Sequence, residues 1–182
     1  MERGLEVGPV PVVTAELITT GRLTLVPLSA GHLEEMADEM AGVLADPDLY
    51  RFTGGSPPGR EELRARYERW IAGSPDPAVS WCNWVIRLQV PGCLVGTVQA
   101  TISAAADGAV AEVAWVVGTP WQGQGIAIEA TRAVVAWLGQ RPVRTIVAHI
   151  HPDHQASAAV AAAAGLAPTS HMHDGETLWR RT

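Results

Sequence analysis

The chain has 182 residues, of which 47% are hydrophobic, and a formal net charge of −6 at pH 7. This length and composition predict one globular domain, and the acidic balance argues against a nucleic-acid partner, whose footprint is normally basic. All 13 basic residues are arginine, which excludes a lysine Schiff base and a Gly-Lys-Ser/Thr phosphate loop. No apolar run approaches about 18 residues and no signal-peptide pattern is present, so we expect a cytoplasmic protein without a membrane partner.

The first half of the chain predicts an arm, two helices and an antiparallel pair of strands. Residues 1–16 lack periodicity and predict an N-terminal arm, which leaves a single domain over residues 17–182. Cys82 and Cys93 have no metal spacing, and we expect both to be reduced thiols. In chain order we expect a strand region at 17–28, a helix capped by Ser29, a loop at 46–55, a second helix from Ser56, strands at 81–90 and 93–103 joined at Pro91-Gly92, and a turn at Asp107-Gly108.

A strand, a glycine turn and a long helix follow, over residues 112–138. Residues 113–117 form a continuous apolar run, which predicts a strand covered on both faces. Gln122-Gly123-Gln124-Gly125 then precedes apolar residues at helical spacing. Because the first N–H groups of a helix lack internal partners, small residues at this turn would expose them to an anion. The stretch therefore predicts a phosphate site that needs no cationic side chain in the loop.

The remaining segments predict a strand, a small helix and a hairpin. Residues 143–150 form the strand, residues 156–164 the helix, and residues 168–173 and 176–181 two strands around Asp174-Gly175. The order of elements predicts an α/β (α+β) sheet of mixed direction with helices on both faces.

Gln122-x-x-Gly125-x-Ala127, between an apolar strand and an amphipathic helix, resembles the acyl-CoA signature of the GNAT N-acetyltransferases. The resemblance is nearest to the branch of ribosomal-protein N-terminal acetyltransferases and related small-molecule acetyltransferases. Residues 22–28, 151–157 and 174–179 are similar to that branch's segments in the same order, so the resemblance covers residues 17–181. It implies a GNAT fold, with a mostly antiparallel central sheet of about seven strands that is splayed at the acyl-CoA site.

The resemblance also implies the activity and the cofactor site. The chain would move an acetyl group from acetyl-CoA directly to a primary amine, on a small molecule or a protein N-terminus, as a monomer or homodimer and without a metal. A backbone N–H near Val116 or Val117 would polarise the thioester carbonyl. The implied acyl-CoA contacts are Val116, Val117, Gly118, Gln122, Gly123, Gln124, Gly125, Ile126, Ala127 and Arg132.

The sequence also contains candidates for proton transfer and for the acceptor pocket. Glu112 is the only carboxylate on its strand and is the candidate base. Many members of the family use a tyrosine in the last helix as the acid, which is missing here, so Ser157 and His154 are the candidates for a role near the thiol. The aromatic candidates for the acceptor pocket are Tyr50, Phe52, Trp70, Trp81 and Trp84.

Two other functions stay open. His149-x-His151-x-Asp153-His154 matches the metal motif of the metallo-β-lactamase fold, which would make the chain a zinc hydrolase. That fold places its motif early in the chain, whereas here it lies near the end. The missing tyrosine supports a second alternative, a module or sensor that binds acyl-CoA without catalysis.

Overall fold

A single eight-stranded sheet organises the chain. The computed structural model describes residues 12–106 and 108–182. The strands lie in the order β1-β2-β3-β4-β5-β6-β8-β7, and every neighbouring pair is antiparallel except β5 and β6. The strands are β1 (Ile18–Thr19), β2 (Leu23–Pro27), β3 (Val79–Leu88), β4 (Leu94–Ala105), β5 (Gly108–Val117), β6 (Val143–Ile150), β7 (Ala167–His173) and β8 (Glu176–Arg181).

Within residues 12–106 and 108–182, four α-helices cover both faces of this sheet: α1 (Leu33–Val43), α2 (Arg60–Ala72), α3 (Ile126–Leu138) and α4 (Gln155–Ala163). On one face, α3 packs Val134 and Leu138 into the main core, together with Ile102 of β4. On the other face, α1 and α2 bury Met40 and Leu63 in a second core. A fully buried side chain of this size stabilises the fold by roughly 1.5–3 kcal/mol. The mixed, mostly antiparallel sheet between two layers of helices is confirmed, with one strand more than expected.

The sheet opens into a gap between β5 and β6. The two parallel strands pair only from Ala109 opposite Val143 to Glu112 opposite Val147. Beyond this point β5 stays paired with β4, and β6 stays paired with β8 as far as Ile150. Among the described residues, no strand therefore pairs with the last residues of β5 on the β6 side. This is the splay that the resemblance implied.

The gap also overturns one prediction about β5. Residues 113–117 are not covered on both faces, because Ala114 is exposed and Trp115 and Val116 are only half-buried. Instead, Trp115, Val116 and Val117 line a cavity at the end of β5.

Two predictions about the helix starts were also wrong. Ser29 precedes a 3-10 turn over Ala30–His32 and its side chain makes no capping bond, so it does not cap α1. The second helix begins at Arg60, not at Ser56. The expected turn at Asp107-Gly108 lies partly outside the described residues, since Asp107 is not among them.

The described end of the N-terminal segment contacts the domain. The backbone N–H of Val13 donates to Ser80 Oγ at 2.9 Å, and Trp84 Nε1 donates to the carbonyl of Glu16 at 2.7 Å. Residues 1–11, most of the predicted arm, lie outside the described part of the chain. Among the described helices, none is long and apolar enough to cross a bilayer.

Candidate active site

The first turn of α3 presents a row of backbone donors. Gly125 takes a left-handed conformation (φ 76°) as the N-cap, with no side-chain cap, and its carbonyl accepts from the N–H of Glu129 at 3.0 Å. Within the described ranges, the N–H groups of residues 123–128 have no protein acceptor. The N–H of Gln122 is different, since it donates to the carbonyl of Thr119 at 3.2 Å. The amides that follow Gln122 are therefore the ones available to the predicted anion site.

An ion pair holds this turn against the start of β2. Arg22 Nε donates to Glu129 Oε2 at 2.7 Å, and Arg22 Nη1 donates to the carbonyl of Gln124 at 3.0 Å. The Thr20 hydroxyl donates to Glu129 Oε1 at 2.6 Å. Although burial acts to raise it, these hydrogen bonds and the Arg22 charge lower the pKa of Glu129. The sequence analysis did not predict this ion pair. The signal available in the sequence was Glu129, an acidic residue in the first turn of α3.

At the end of β5, every second residue offers its backbone groups to the gap. The N–H of Gly118 donates to the carbonyl of Val95 on β4 at 2.9 Å. Because backbone groups alternate in direction along an antiparallel strand, Val116 also faces β4 and Val117 faces the gap. The Val117 carbonyl already accepts from Gln122 Nε2 at 3.0 Å. Of the two amides that the sequence suggested for polarising a thioester, the geometry therefore leaves Val117.

A cavity of about 650 Å³ lies between these elements. Its walls are the end of β5, the first turn of α3, the first turns of α4 and the loop before α2. The predicted residues that line it are Phe52, Val116, Val117, Gln122, Gly123, Gly125, Ile126, Ala127, His154 and Ser157. Trp115, Trp121, Asp48 and Val160 also line it and were missed, because their exposure toward a cavity leaves no local pattern.

Three of the predicted cofactor contacts do not line this cavity. A Cβ on Gly118 would lie 2.8 Å from the carbonyl oxygen of Val43, so this glycine permits close packing on α1. The Gln124 side chain donates to the carbonyl of Pro120 at 3.3 Å. Arg132 Nε donates to the carbonyl of Ala163 at 2.7 Å and lines a second cavity, of about 510 Å³, beside the first turn of α3.

His154 and Ser157 meet at the start of α4. His154 Nδ1 accepts from the N–H of Ser157 at 3.4 Å, so His154 is the N-cap of the helix. Its ring stacks on Phe52, with ring centroids 4.5 Å apart. Burial, followed by the charge of His151, lowers the pKa of His154. A neutral His154 that accepts at Nδ1 carries its proton on Nε2.

Glu112 lies where the gap begins and contacts a histidine that was not predicted as its partner. Glu112 Oε1 is 3.0 Å from Nδ1 of His149 on β6. The Glu112 side chain is 54% exposed and that of His149 is 23% exposed. The ring of His173 lies 5.9 Å from that of His149, centroid to centroid. Glu112 does not line the main cavity, but it stands at the last paired position of β5 and β6.

Only Phe52 among the five aromatic candidates lines the cavity. The Tyr50 hydroxyl donates to the carbonyl of Leu44 at 3.0 Å, and Trp70 stacks on Tyr67. Trp81 is half-buried on β3. Trp84 is 1% exposed in the main core, where its ring meets Trp137 edge to face at 5.1 Å. Trp84 therefore cannot contact an acceptor, because it points to the face of β3 that α3 covers.

The histidine motif is not arranged as a metal site. His149 Nδ1 is hydrogen-bonded to Glu112 Oε1, while His151 Nδ1 accepts a hydrogen bond from the N–H of Asp153 at 3.2 Å. His154 Nδ1 accepts from its own helix. Across the described ranges, no group of three or more His, Cys, Asp or Glu side chains converges as metal ligands would. Among the described residues, the motif therefore does not form the ligand cluster that a zinc hydrolase would need.

Comparison with known proteins agrees with this geometry. Residues 22–167 match the family model described as an acetyltransferase (GNAT) domain. No curated protein matched the sequence. Among solved structures, a GNAT-family acetyltransferase from Bacillus anthracis is 16% identical, covering 91% of this chain and 95% of its own, with a TM-score of 0.71.

Two further solved structures are similar in fold. An aminoglycoside acetyltransferase in complex with coenzyme A is 18% identical, covering 88% of this chain and 94% of its own, with a TM-score of 0.70. A ribosomal L7/L12 alpha-N-protein acetyltransferase in complex with coenzyme A is 18% identical, covering 91% and 97%, with a TM-score of 0.62. The expected resemblance, fold class and acyl donor are confirmed.

Proposed function

Since this chain belongs to the GNAT acetyltransferase family and is an acetyl-CoA-dependent acyltransferase, we propose that it transfers the acetyl group directly to a primary amine. The observation that carries the proposal is the row of free amides at residues 123–128, which borders a cavity that reaches the gap between β5 and β6. The amine nitrogen would attack the thioester carbonyl in a ternary complex, so no acyl-enzyme residue is needed.

The donor is held by backbone donors and the helix dipole. The free N–H groups of residues 123–128 would bind the diphosphate, and each such charge interaction with a helix N-terminus contributes about 0.3–1 kcal/mol when exposed. The pantetheine arm would run along the end of β5, where Val117 faces the gap. Gln122 would have to release the Val117 carbonyl if the arm bonds there. Arg132, beside the second cavity, is proposed for the 3′-phosphate.

The chemical step needs a polarised carbonyl and proton transfers at both ends. The Val117 N–H would polarise the thioester carbonyl. Proton removal from the amine is proposed at the contact between Glu112 and His149, where the gap begins. His154 Nε2–H and the Ser157 hydroxyl, both on the cavity wall, would donate hydrogen bonds to the departing thiolate. Their position on α4 offers polar groups where many members of the family have a tyrosine.

The acceptor is proposed to be either a small-molecule amine or a protein N-terminus. Both classes occur among the similar folds, in the aminoglycoside acetyltransferase and the ribosomal-protein acetyltransferase. Phe52, with its neighbours on the loop before α2, is the aromatic residue placed to contact it. A cytoplasmic location is part of the proposal, supported by Cys82 and Cys93, which are both free thiols.

Calorimetric titration with acetyl-CoA, followed by a thiol-release assay with a panel of amines, tests this function. The panel should contain N-terminal peptides, polyamines and aminoglycosides. We expect binding of acetyl-CoA and amine-dependent release of CoA thiol. Binding without turnover on any amine would support the non-catalytic module, and no binding at all would contradict the donor site.

A further inference from the structure

We propose that His149 is the catalytic residue that takes the proton from the acceptor ammonium, and that Glu112 is the positioning residue that orients it. The inference rests on the proposed amine acetylation and refines its proton-transfer step. Glu112 and His149 are 37 residues apart in the chain and meet only because β5 and β6 pair up to Glu112.

The hydrogen bond between them determines which histidine nitrogen is free. An ionised carboxylate can only accept, so the contact of 3.0 Å requires the proton of a neutral His149 to be on Nδ1. The lone pair of a neutral ring is then on Nε2. In the part of the chain that the structure describes, Nε2 of His149 has no hydrogen-bond partner. Here a carboxylate fixes the tautomer of an imidazole and leaves the other ring nitrogen free. A general base and the group that orients it are arranged in this way.

The location fits the reaction. His149 lies two residues beyond Val147, which is the last β6 residue paired with β5, so it borders the gap on the side opposite the end of β5. The Val117 N–H, proposed for the carbonyl, faces the same gap from the other strand. An amine held between them would have its proton on one side and the thioester on the other.

The surroundings of His149 allow the proton to leave. Titratable residues near His149 include His173, whose ring lies 5.9 Å away, and His151, which is two residues further along the chain, just past the end of β6. His173 Nε2 is 3.4 Å from Asp174, and both of these side chains are exposed at the hairpin tip. Leu178 is the residue opposite His149 on β8 and is not titratable. Since the His149 side chain is 23% exposed, a proton that it accepts can pass to water.

Imidazole suits this task better than a carboxylate does. Unperturbed imidazoles titrate at about pH 6.5 and carboxylates at about pH 4, and a base whose pKa is close to the working pH is the more effective one. In the step, His149 Nε2 takes one proton from the ammonium, and the neutral nitrogen forms the C–N bond. The C–S bond breaks, and the second nitrogen proton goes to the thiolate. The proton on His149 is then released to solvent, so atoms and charges balance.

The test compares the pH profiles of kcat/KM for the wild type, His149→Ala, His149→Gln and Glu112→Gln. His171→Ala is the control, since His171 is an exposed histidine on β7 outside the site. The ratio of wild type to variant removes the ionisation of the acceptor amine itself. We expect both His149 variants to lose about 10²–10⁴-fold in kcat/KM and to lose one limb of the pH profile. Glu112→Gln should keep that limb and lose less, because the amide oxygen still accepts from Nδ1–H. Acetyl-CoA affinity should be unchanged in all of them.

Two results would overturn the assignment. If Glu112→Gln is as inactive as His149→Ala and the His149 variants keep the limb, Glu112 is the base. Nitrogen NMR of His149 provides a readout that needs no turnover: the neutral ring should carry its proton on Nδ1, and the Nε2–H tautomer would refute the orientation. Absence of turnover by the wild type with every amine would instead reject the proposed function, and the NMR result would still decide the tautomer.

Discussion

Replacement of Gly125 by glutamate would place a side chain and a negative charge in the anion site. Gly125 has φ 76°, and a Cβ added there would find only Arg22 Nη2 nearby, at 3.6 Å. The variant should therefore fold, at a cost of about 1–2 kcal/mol for a left-handed non-glycine residue. Gly123→Glu is a second variant, because a Cβ there meets nothing within 4 Å.

The effect on binding follows from Coulomb's law. Two unit charges 4 Å apart interact by about 4 kcal/mol at an effective dielectric constant of about 20. Allowing for the openness of the site, a repulsion of about 3 kcal/mol between the new carboxylate and the diphosphate weakens acetyl-CoA binding by more than about 100-fold. The new side chain also occupies the space beside the amides, which weakens acetyl-CoA binding further.

The control is Gly175→Glu, in the turn between β7 and β8. Gly175 has φ 82° and its Cβ would also meet nothing within 4 Å, so the backbone strain is matched while the anion site is untouched. Calorimetric titration with acetyl-CoA and thermal unfolding of all three variants give affinity and stability separately. Equal acetyl-CoA affinity in Gly125→Glu, Gly123→Glu and Gly175→Glu would refute the assignment of the diphosphate to these amides.

Three further predictions concern the supports of the site. Burial, and then the charge of His151, lowers the pKa of His154 in the folded protein. As the pH falls, this histidine therefore becomes protonated in the unfolded chain before it does so in the folded protein. Its contribution to folding stability is complete above about pH 6.5 and decreases below that pH. His154→Asn keeps an N-cap without titration, so thermal melts at about pH 5.5 and 7.5 should differ less than in the wild type; an unchanged difference would contradict this. Gly96→Ala would put a Cβ 2.1 Å from the carbonyl oxygen of Val116, so urea unfolding should show a loss of about 3 kcal/mol or more. If Gly96→Ala were as stable as the wild type, β4 and β5 would be packed less closely than the structure shows. Trp84→Phe should cost about 1–3 kcal/mol by leaving the Glu16 carbonyl unpaired, yet keep the KM for the amine. If Trp84→Phe raised the KM for the amine while its stability stayed normal, Trp84 would instead be a residue of the acceptor pocket.

Much of the architecture could be read from local patterns. The strand at Val143–Ile150 was predicted with the bounds that it has, because breakers stand on both sides of a short apolar run. The helix after Gly125 was predicted from its apolar spacing, and the free amides at its start follow from helix geometry alone. Both results depend on residues within a few positions of each other, which is the range over which propensity and periodicity act.

The face that a side chain occupies was much harder to predict. Trp81 and Trp84 lie on the same strand, three residues apart, and nothing local shows that Trp84 belongs to the core under α3. The motif from His149 to His154 suggested zinc because the spacing of residues says nothing of their partners. Those partners, Glu112 for His149 and a helix amide for His154, depend on neighbouring strands and on where α4 begins.

The sequence by itself determined the order of elements, the glycine turn before α3 and the kinship with GNAT acetyltransferases, because each depends on short-range chemistry. Tertiary structure decided where β5 and β6 part, which backbone groups face the opening, and that Glu112 meets His149 across it. Such contacts arise from strand register and sheet twist, which are set by the packing of the whole core and not by any one stretch of the chain.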